Sequence, residues 1–291
     1  MNNVQYRKAL PDDIPEMTDL FLMTLSNMYA RNSVSAPLPP RPAVLKGFEH
    51  VRSTGTFYVA ELEGRIVGIG GSVVRDNIWY LSSFWVRPDL QNKKIGQPLL
   101  TQLWDDGRKM GARTFFTWSS IDSSAMALYM KMGMLPGYQI LIFAGIPNRL
   151  PSIPDSYEVV DLQNYAAMDI DQEVFGSRRE ADHNFWLGPG GPRGRQVLRN
   201  GISVGYFYIN HGNIGPAAWN DPLDANAVMT IASHEAAAMT SLIGFAVPGI
   251  NHTALRFAFD SGLRFSNFFH FLTTAPFGNM ERYLPSGPSL Y

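Results

Sequence analysis

No cysteine occurs anywhere in the 291 residues. Disulfides, zinc–thiolate sites and a cysteine nucleophile are therefore excluded. The absence fits a reducing compartment, and the start of the chain, MNNVQYRKALPDD, is polar and lacks the apolar stretch of a signal peptide. No apolar run approaches the roughly 20 residues of a membrane span. The expectation is a soluble cytoplasmic protein with no membrane partner. An excess of charge of one sign is also missing: 24 Lys+Arg against 25 Asp+Glu leave a net charge of −1. That argues against a nucleic-acid partner, which calls for a basic surplus. The six histidines are scattered, and His234-Glu235 lacks the second histidine of a zinc helix, so no metal is expected. What the chain has in quantity is apolar residues, 45% against 17% charged. Its length suits one large domain or two ordinary ones, each with a sizeable core.

Periodicity divides the chain in two. VQYRKA (4–9) alternates as a strand; IPEMTDLFLMTLSNMY (14–29) has helical spacing, with Asp12 and Asp13 available to cap it. The proline-dense SAPLPPRPAV (35–44) reads as a loop. Three strands follow, FYVAELEG, RIVGIGGSVV and NIWYLSSFWV, the first two joined at Glu63-Gly64. Then come an amphipathic helix (95–111) ending at a glycine, a strand (113–120), a short helix DSSAMALYMKMG (122–133) and a strand GYQILIFAG (137–145). GIPNRLPSIPDS (145–156) carries three prolines and reads as a linker. After it the pattern restarts: strand, helix, three strands, a helix (224–240), a strand, a short helix (251–262) and a last strand (266–274). DSSAMALYMKMGM and NHTALRFAFDSGL share a polar cap, an alanine at the fourth place and a glycine at the twelfth, which supports a duplicated domain. The glycine-rich GPGGPRG (188–194) precedes no helix and reads as a loop.

The stretch between the third strand and the next helix, VRPDLQNKKIGQPLL (86–100), is where a phosphate could be held. Helix-start N–H groups lack helical acceptors and the helix dipole adds positive charge. An ordinary connecting loop with exposed lysines is the plain alternative. VRPDLQNKKIG resembles the V-x-P-x-x-Q-x-x-G-x-G signature of the GNAT N-acetyltransferase superfamily: Val86, Pro88, Gln91 and Gly96 match, and Lys94 stands at the first glycine position. DSSAMALYMKMGM resembles the family's N-x-x-A-x-x-L-Y-x-x-x-G-F: Ala125, Leu128, Tyr129 and Gly133 match, and Asp122 replaces asparagine.

The resemblance covers residues 4–145 by element order. It implies an α+β fold with mixed-sheet layers in two tandem GNAT-like domains, 1–148 and 149–291. It implies acetyl-CoA as cofactor, with backbone N–H groups of Asn92, Lys93, Lys94, Ile95, Gly96 and Gln97 on its pyrophosphate. Phe84, Trp85 and Val86 would pair with its pantetheine arm. The Phe84 N–H falls at the oxyanion position and Tyr129 where the family's tyrosine protonates the departing thiolate. The usual carboxylate base falls on Tyr80. Asp122 is an acid nearer the site by motif logic, and a helix N-cap on its plain reading. A left-handed backbone at Lys94 would cost about 1–2 kcal/mol, part of which charge pairing with phosphate would offset.

The second half keeps the element order and loses the loop: NDPLDANAV offers Asp221 and Asp224 where phosphate would lie. It resembles the degenerate second domain of some tandem GNAT proteins, non-catalytic and helping to form the acceptor site. The expected activity is acetyl transfer to a primary amine of a small molecule, with Trp79, Tyr80, Trp85, Trp118 and the proline loop suggesting a partly apolar acceptor site. The alternatives are a non-catalytic acyl-CoA-binding or regulatory protein, and a longer-chain acyltransferase or a tandem enzyme like mycothiol synthase. The motifs concern the donor; the acceptor's identity, and a monomer or a homodimer, they leave open.

Overall fold

The computed structural model describes residues 4–34 and 36–291. The first three residues of the polar start, and Ser35 at the head of the proline loop, lie outside the described residues. The chain forms two compact units, Met1–Thr117 and Trp118–Tyr291.

The first unit is built from β1 (Gln5–Lys8), α1 (Ile14–Arg31), α2 (Arg41–Thr54), β2 (Thr56–Leu62), β3 (Arg65–Arg75), β4 (Ile78–Val86), α3 (Gly96–Lys109) and β5 (Thr114–Ser119), which crosses the division between the units. Strands β1 to β4 are antiparallel neighbours in chain order, and β5 lies parallel to β4. Glu63 (φ 53°) and Gly64 (φ 72°) make the β2–β3 turn left-handed at both positions, the geometry that suits a twisted hairpin.

Two local expectations are corrected. The helix α2 begins at Arg41, inside the stretch read as loop: Pro42 falls in its first turn, where a missing N–H costs nothing. Asp13 does not cap α1. Its carboxylate takes Arg7 at 2.6 and 2.9 Å and the Leu10 N–H at 2.7 Å, and α1 has no side-chain cap.

The helices of this unit lie on both faces of the sheet. Added Cβ atoms at Gly68 and Gly70 of β3 would lie 3.1 and 2.7 Å from Leu99 and Leu103, so α3 packs directly on that strand. On the other face Trp85 meets Phe21 of α1 edge-on at 5.1 Å, and Phe21 meets Phe48 of α2 at 5.6 Å.

The second unit contains α4 (Ser123–Lys131), β6 (Leu135–Gly145), β7 (Tyr157–Asp161), α5 (Asn164–Val174), α6 (Glu180–Trp186), β8 (Arg193–Arg199), β9 (Ile202–Asn210), β10 (Asn213–Trp219), α7 (Ala225–Met239), β11 (Ile243–Pro248), α8 (His252–Asp260), β12 (Arg264–Thr273) and β13 (Tyr283–Leu284). Its strand order is β12-β6-β11-β10-β9-β8-β7, with β13 on β10. The sequence reading groups residues by order along the chain, 1–148 and 149–291. The compact units group β6 with the second half instead, because β6 lies between β11 and β12, antiparallel to both. Its Phe143 is 1% exposed and belongs to the same core as Trp219, Val228 and Phe245.

The helix α6, which the sequence pattern does not announce, carries a buried polar knot. Asp171, fully buried, accepts from Arg179 at 2.7 Å, from His183 at 2.8 Å and from the Tyr206 hydroxyl, while His183 Nδ1 lies 2.8 Å from the Tyr208 hydroxyl. Burial alone pushes the Asp171 carboxyl up. The Arg179 charge and the His183 and Tyr206 contacts outweigh it and hold the group below the ordinary carboxylate range.

Candidate functional site

The centre of the first unit is the far half of β4. Its parallel register with β5 runs from Ile78↔Thr114 to Leu81↔Thr117, whereas its antiparallel register with β3 continues to Gly68↔Val86. Gly71 faces Ser83 and Ser72 faces Leu81, so Ser82 is an extra residue in β4, a β-bulge. The bulge reverses which face each later side chain points to. Trp79 packs on Trp104 of α3 at 5.8 Å. Phe84, an odd number of residues on, would face away from α3 in a regular strand, yet it lies against Gly96 at the start of α3. Trp85 consequently faces α1.

After β4 the chain makes one 3-10 turn, Pro88–Leu90, and then the loop to α3. Both ends of this loop are anchored. The Gln91 side-chain amide donates to the Val86 carbonyl at 3.1 Å. Ile95 is buried with Ala60, Val67, Leu90 and Leu99, and its carbonyl accepts from the Tyr6 hydroxyl at 3.2 Å. Between the anchors Asn92 (φ 62°) and Lys94 (φ 61°) are left-handed, and Asn92, Lys93 and Lys94 are exposed. The left-handed backbone that the glycine of the family signature suggests is therefore present at Lys94. The first-turn N–H groups of α3, at Gly96 and Gln97, have no intrahelical acceptor, and the turn is completed by Pro98, which has no N–H to offer. Exposed lysines beside helix-start donors are a set that can take a phosphate.

Asp122 and Tyr129 lie in the second unit. Asp122 is the N-cap of α4: its Oδ1 accepts from the Ser124 and Ala125 N–H groups, each at 3.0 Å. Asn251 does the same for α8, accepting from Ala254 at 3.0 Å, and Gly133 (φ 98°) and Gly262 (φ 83°) end the two turns alike. The repeated motif thus has one structural meaning in both halves. Tyr129 is buried, 5% exposed. Burial pushes its phenol well above the ordinary value and the nearby Asp122 carboxylate adds to the push, so the hydroxyl keeps its proton at neutral pH.

Of the aromatic residues suggested for an acceptor site, Trp79 and Tyr80 belong to the core, Tyr80 stacked on Phe116 at 4.7 Å. Trp85 is half-buried. Trp118 is in the second unit, edge-on to Phe269 at 5.3 Å. An open groove of about 500 Å³, which the sequence did not announce, is lined by Ser26, Tyr29, Val34, Ala36, Pro37 and Leu38 at the end of α1 and in the proline loop; none of these side chains is charged.

In the second half, the residue before α7 is Asp224, fully buried. Its Oδ1 accepts from the Tyr157 hydroxyl at 2.7 Å and pairs with Arg199 at 2.9 Å. Asp221 accepts from the Leu223 N–H at 2.9 Å. Among the described residues no group of three or more acidic or histidine side chains could hold a metal ion, and no helix is long and apolar enough to cross a membrane.

Residues 21–134 match the model of the acetyltransferase (GNAT) family. No curated protein matches the sequence. Among solved structures, a proposed acetyltransferase from Pyrococcus horikoshii has 18% identity and a TM-score of 0.81, over 100% of this chain and 97% of that one. A tandem GNAT protein from the clavulanic acid biosynthesis pathway has 15% identity and a TM-score of 0.64, covering 94% of this chain and 99% of that one. A GCN5-related N-acetyltransferase from Sphaerobacter thermophilus has 14% identity and a TM-score of 0.65, covering 96% and 98%. The chain has the mixed-sheet fold of tandem GNAT proteins.

Proposed function

We propose that the protein is an acetyl-CoA-dependent N-acetyltransferase acting on a primary amine of a small molecule. The observation that carries the reading is the bulged β4 leading through an anchored loop to a glycine-started α3, with Phe84 seated on Gly96. Acetyl-CoA, when bound, supplies a thioester carbonyl open to an amine. In this reading the N–H groups from Asn92 to Gln97 hold its pyrophosphate, and Lys93 and Lys94 add positive charge. Gln91 and Ile95 keep the loop in shape, Phe84 to Val86 pair with the pantetheine arm, and the Phe84 N–H polarises the carbonyl oxygen. Tyr129, which keeps its proton, is the residue assigned to protonate the departing sulfur.

The base position falls on Tyr80, stacked in the core, and the Asp122 Oδ1 already receives two helix N–H groups. We therefore assign the acceptor the form of a neutral amine, its proton leaving through water after attack. The uncharged groove at the end of α1 suits an acceptor with an apolar body.

Calorimetric titration with acetyl-CoA tests the reading: one site per chain is expected, followed by release of free thiol when amines are screened. No binding at millimolar donor would overturn it. The missing acid on β4 favours one competing reading, a non-catalytic acyl-CoA-binding protein. Donor binding without thiol release for any amine would select that one.

A further inference from the structure

The second unit has a strand slot filled by its own chain. β10 pairs with β11 only at Asn213↔Gly244 and Ile214↔Phe245. Beyond that point Ala217 and Ala218 of β10 pair with Leu284 and Tyr283 of β13. The opposite edge of β10 is held there by β9, at Ala217↔Phe207 and Ala218↔Tyr206, so β13 occupies the edge that β11 leaves. The first unit repeats this layout: β4 runs on past the end of its β5 register, and the stretch beyond is the one assigned above to the pantetheine arm. An extended amide chain and a β-strand present the same alternating donors and acceptors.

The fit of the inserted segment is specific. A Cβ at Gly215 would lie 2.3 Å from the Pro285 carbonyl oxygen, so the segment approaches β10 through a gap that only glycine leaves. The Asn251 amide donates to the Tyr283 carbonyl at 3.2 Å, and Arg179 donates to the Tyr283 hydroxyl at 2.8 Å and to the Tyr291 carbonyl at 3.3 Å. Tyr283 and Tyr291 are both fully buried. At the start of α7, the counterpart of α3, stands the buried carboxylate of Asp224.

We propose that residues 279–291 are an internal ligand of the second unit. β13 fills the strand slot, the buried Asp224 carboxylate, held by Tyr157 and Arg199, places negative charge where a donor phosphate would lie, and the second unit is a self-occupied cleft that takes no donor. The comparison with the first unit rests on the donor reading given above; the slot and its occupant rest on the strand register alone.

The test uses the chain shortened by residues 279–291, a synthetic peptide of those residues, and the intact protein. The shortened chain is expected to melt lower by about 5 °C or more and to recover on saturable binding of one peptide per chain. The intact protein is expected to bind one acetyl-CoA. A shortened chain that melts like the intact one and ignores the peptide overturns the proposal, as do two donor sites on the intact protein. Should the shortened chain not fold, hydrogen exchange on the intact protein decides. Protection at Tyr283 and Leu284 equal to that at Ala217 and Ala218 supports an inserted strand; exchange at loop rates overturns it. Absence of any donor binding to the intact protein overturns the donor reading and the likeness of the two clefts, whereas the peptide and exchange results bear on the strand slot alone.

Discussion

Gly96 and Phe84 are in direct steric register: a Cβ at position 96 would lie 2.8 Å from the Phe84 Cζ. The start of α3 can reach β4 only because residue 96 has no side chain. Gly96→Ala must displace the ring. Overpacking of this kind costs about 1–3 kcal/mol, and at least a tenfold loss of acetyl-CoA affinity is expected if the loop holds the donor. Thermal melts and calorimetry check both. Lowered stability with unchanged affinity would remove the loop from donor binding.

Lys94 holds a left-handed backbone at φ 61°. Lys94→Gly relieves that strain and is expected to raise stability by up to about 1 kcal/mol, less what glycine adds to the freedom of the unfolded chain. If the ammonium faces phosphate, the same change weakens acetyl-CoA binding at low salt and makes affinity less sensitive to added salt. Titrations at two ionic strengths read this out.

Asp122 Oδ1 accepts from two N–H groups of α4. Asp122→Ala is expected to lower stability by about 1 kcal/mol, and Asp122→Asn, another good cap, by much less. Equal losses in denaturant unfolding would show that the charge matters more than the cap.

Tyr129→Phe removes the hydroxyl assigned to the leaving sulfur and leaves the ring. A fall in kcat of about 10- to 100-fold, the lower range of general acid catalysis, is expected with little change in donor affinity. Unchanged turnover would take Tyr129 out of the mechanism.

Asp171 and Arg179 form a buried pair, 2.6 Å apart at closest. Removing one partner strands the other, so Asp171→Asn is expected to cost about 3–5 kcal/mol. The folded carboxyl lies below its ordinary value. The stability that comes with this shift is thus complete above the ordinary carboxylate range, about pH 4, and is lost as pH falls through the lowered value. The intact protein should lose stability more steeply in acid than Asp171→Asn does, as urea unfolding at several pH values would show.

Much of the fold was readable in the residues. The alternation around Val67 and Ile69, the helical spacing around Leu99 and Leu103 and the paired caps Asp122 and Asn251 are local signals, set within a few bonds of the residues concerned. The loop carrying Gln91 and Gly96 was readable for the same reason. Other features depended on partners far along the chain. Asp13 is a good cap in isolation, but Arg7 competes for it. Asp171, Arg179 and His183 are unremarkable polar residues in sequence, and α6 is too short for its spacing to stand out. They form a network only where the sheet brings Tyr206 and Tyr208 to them.

By itself the sequence determined the order of most strands and helices, and the caps Asp122 and Asn251. Propensity, capping and periodicity act over one or two turns, and the chain carries them wherever it goes. The tertiary structure alone decided that Ser82 bulges and turns Phe84 onto Gly96. It also decided that β6 completes the sheet of the second unit, and that β13 enters the edge left by β11. These are choices among open strand edges, and an edge exists only after distant segments have met: the backbone groups of β10 need a partner, and whichever segment the packing brings there supplies it.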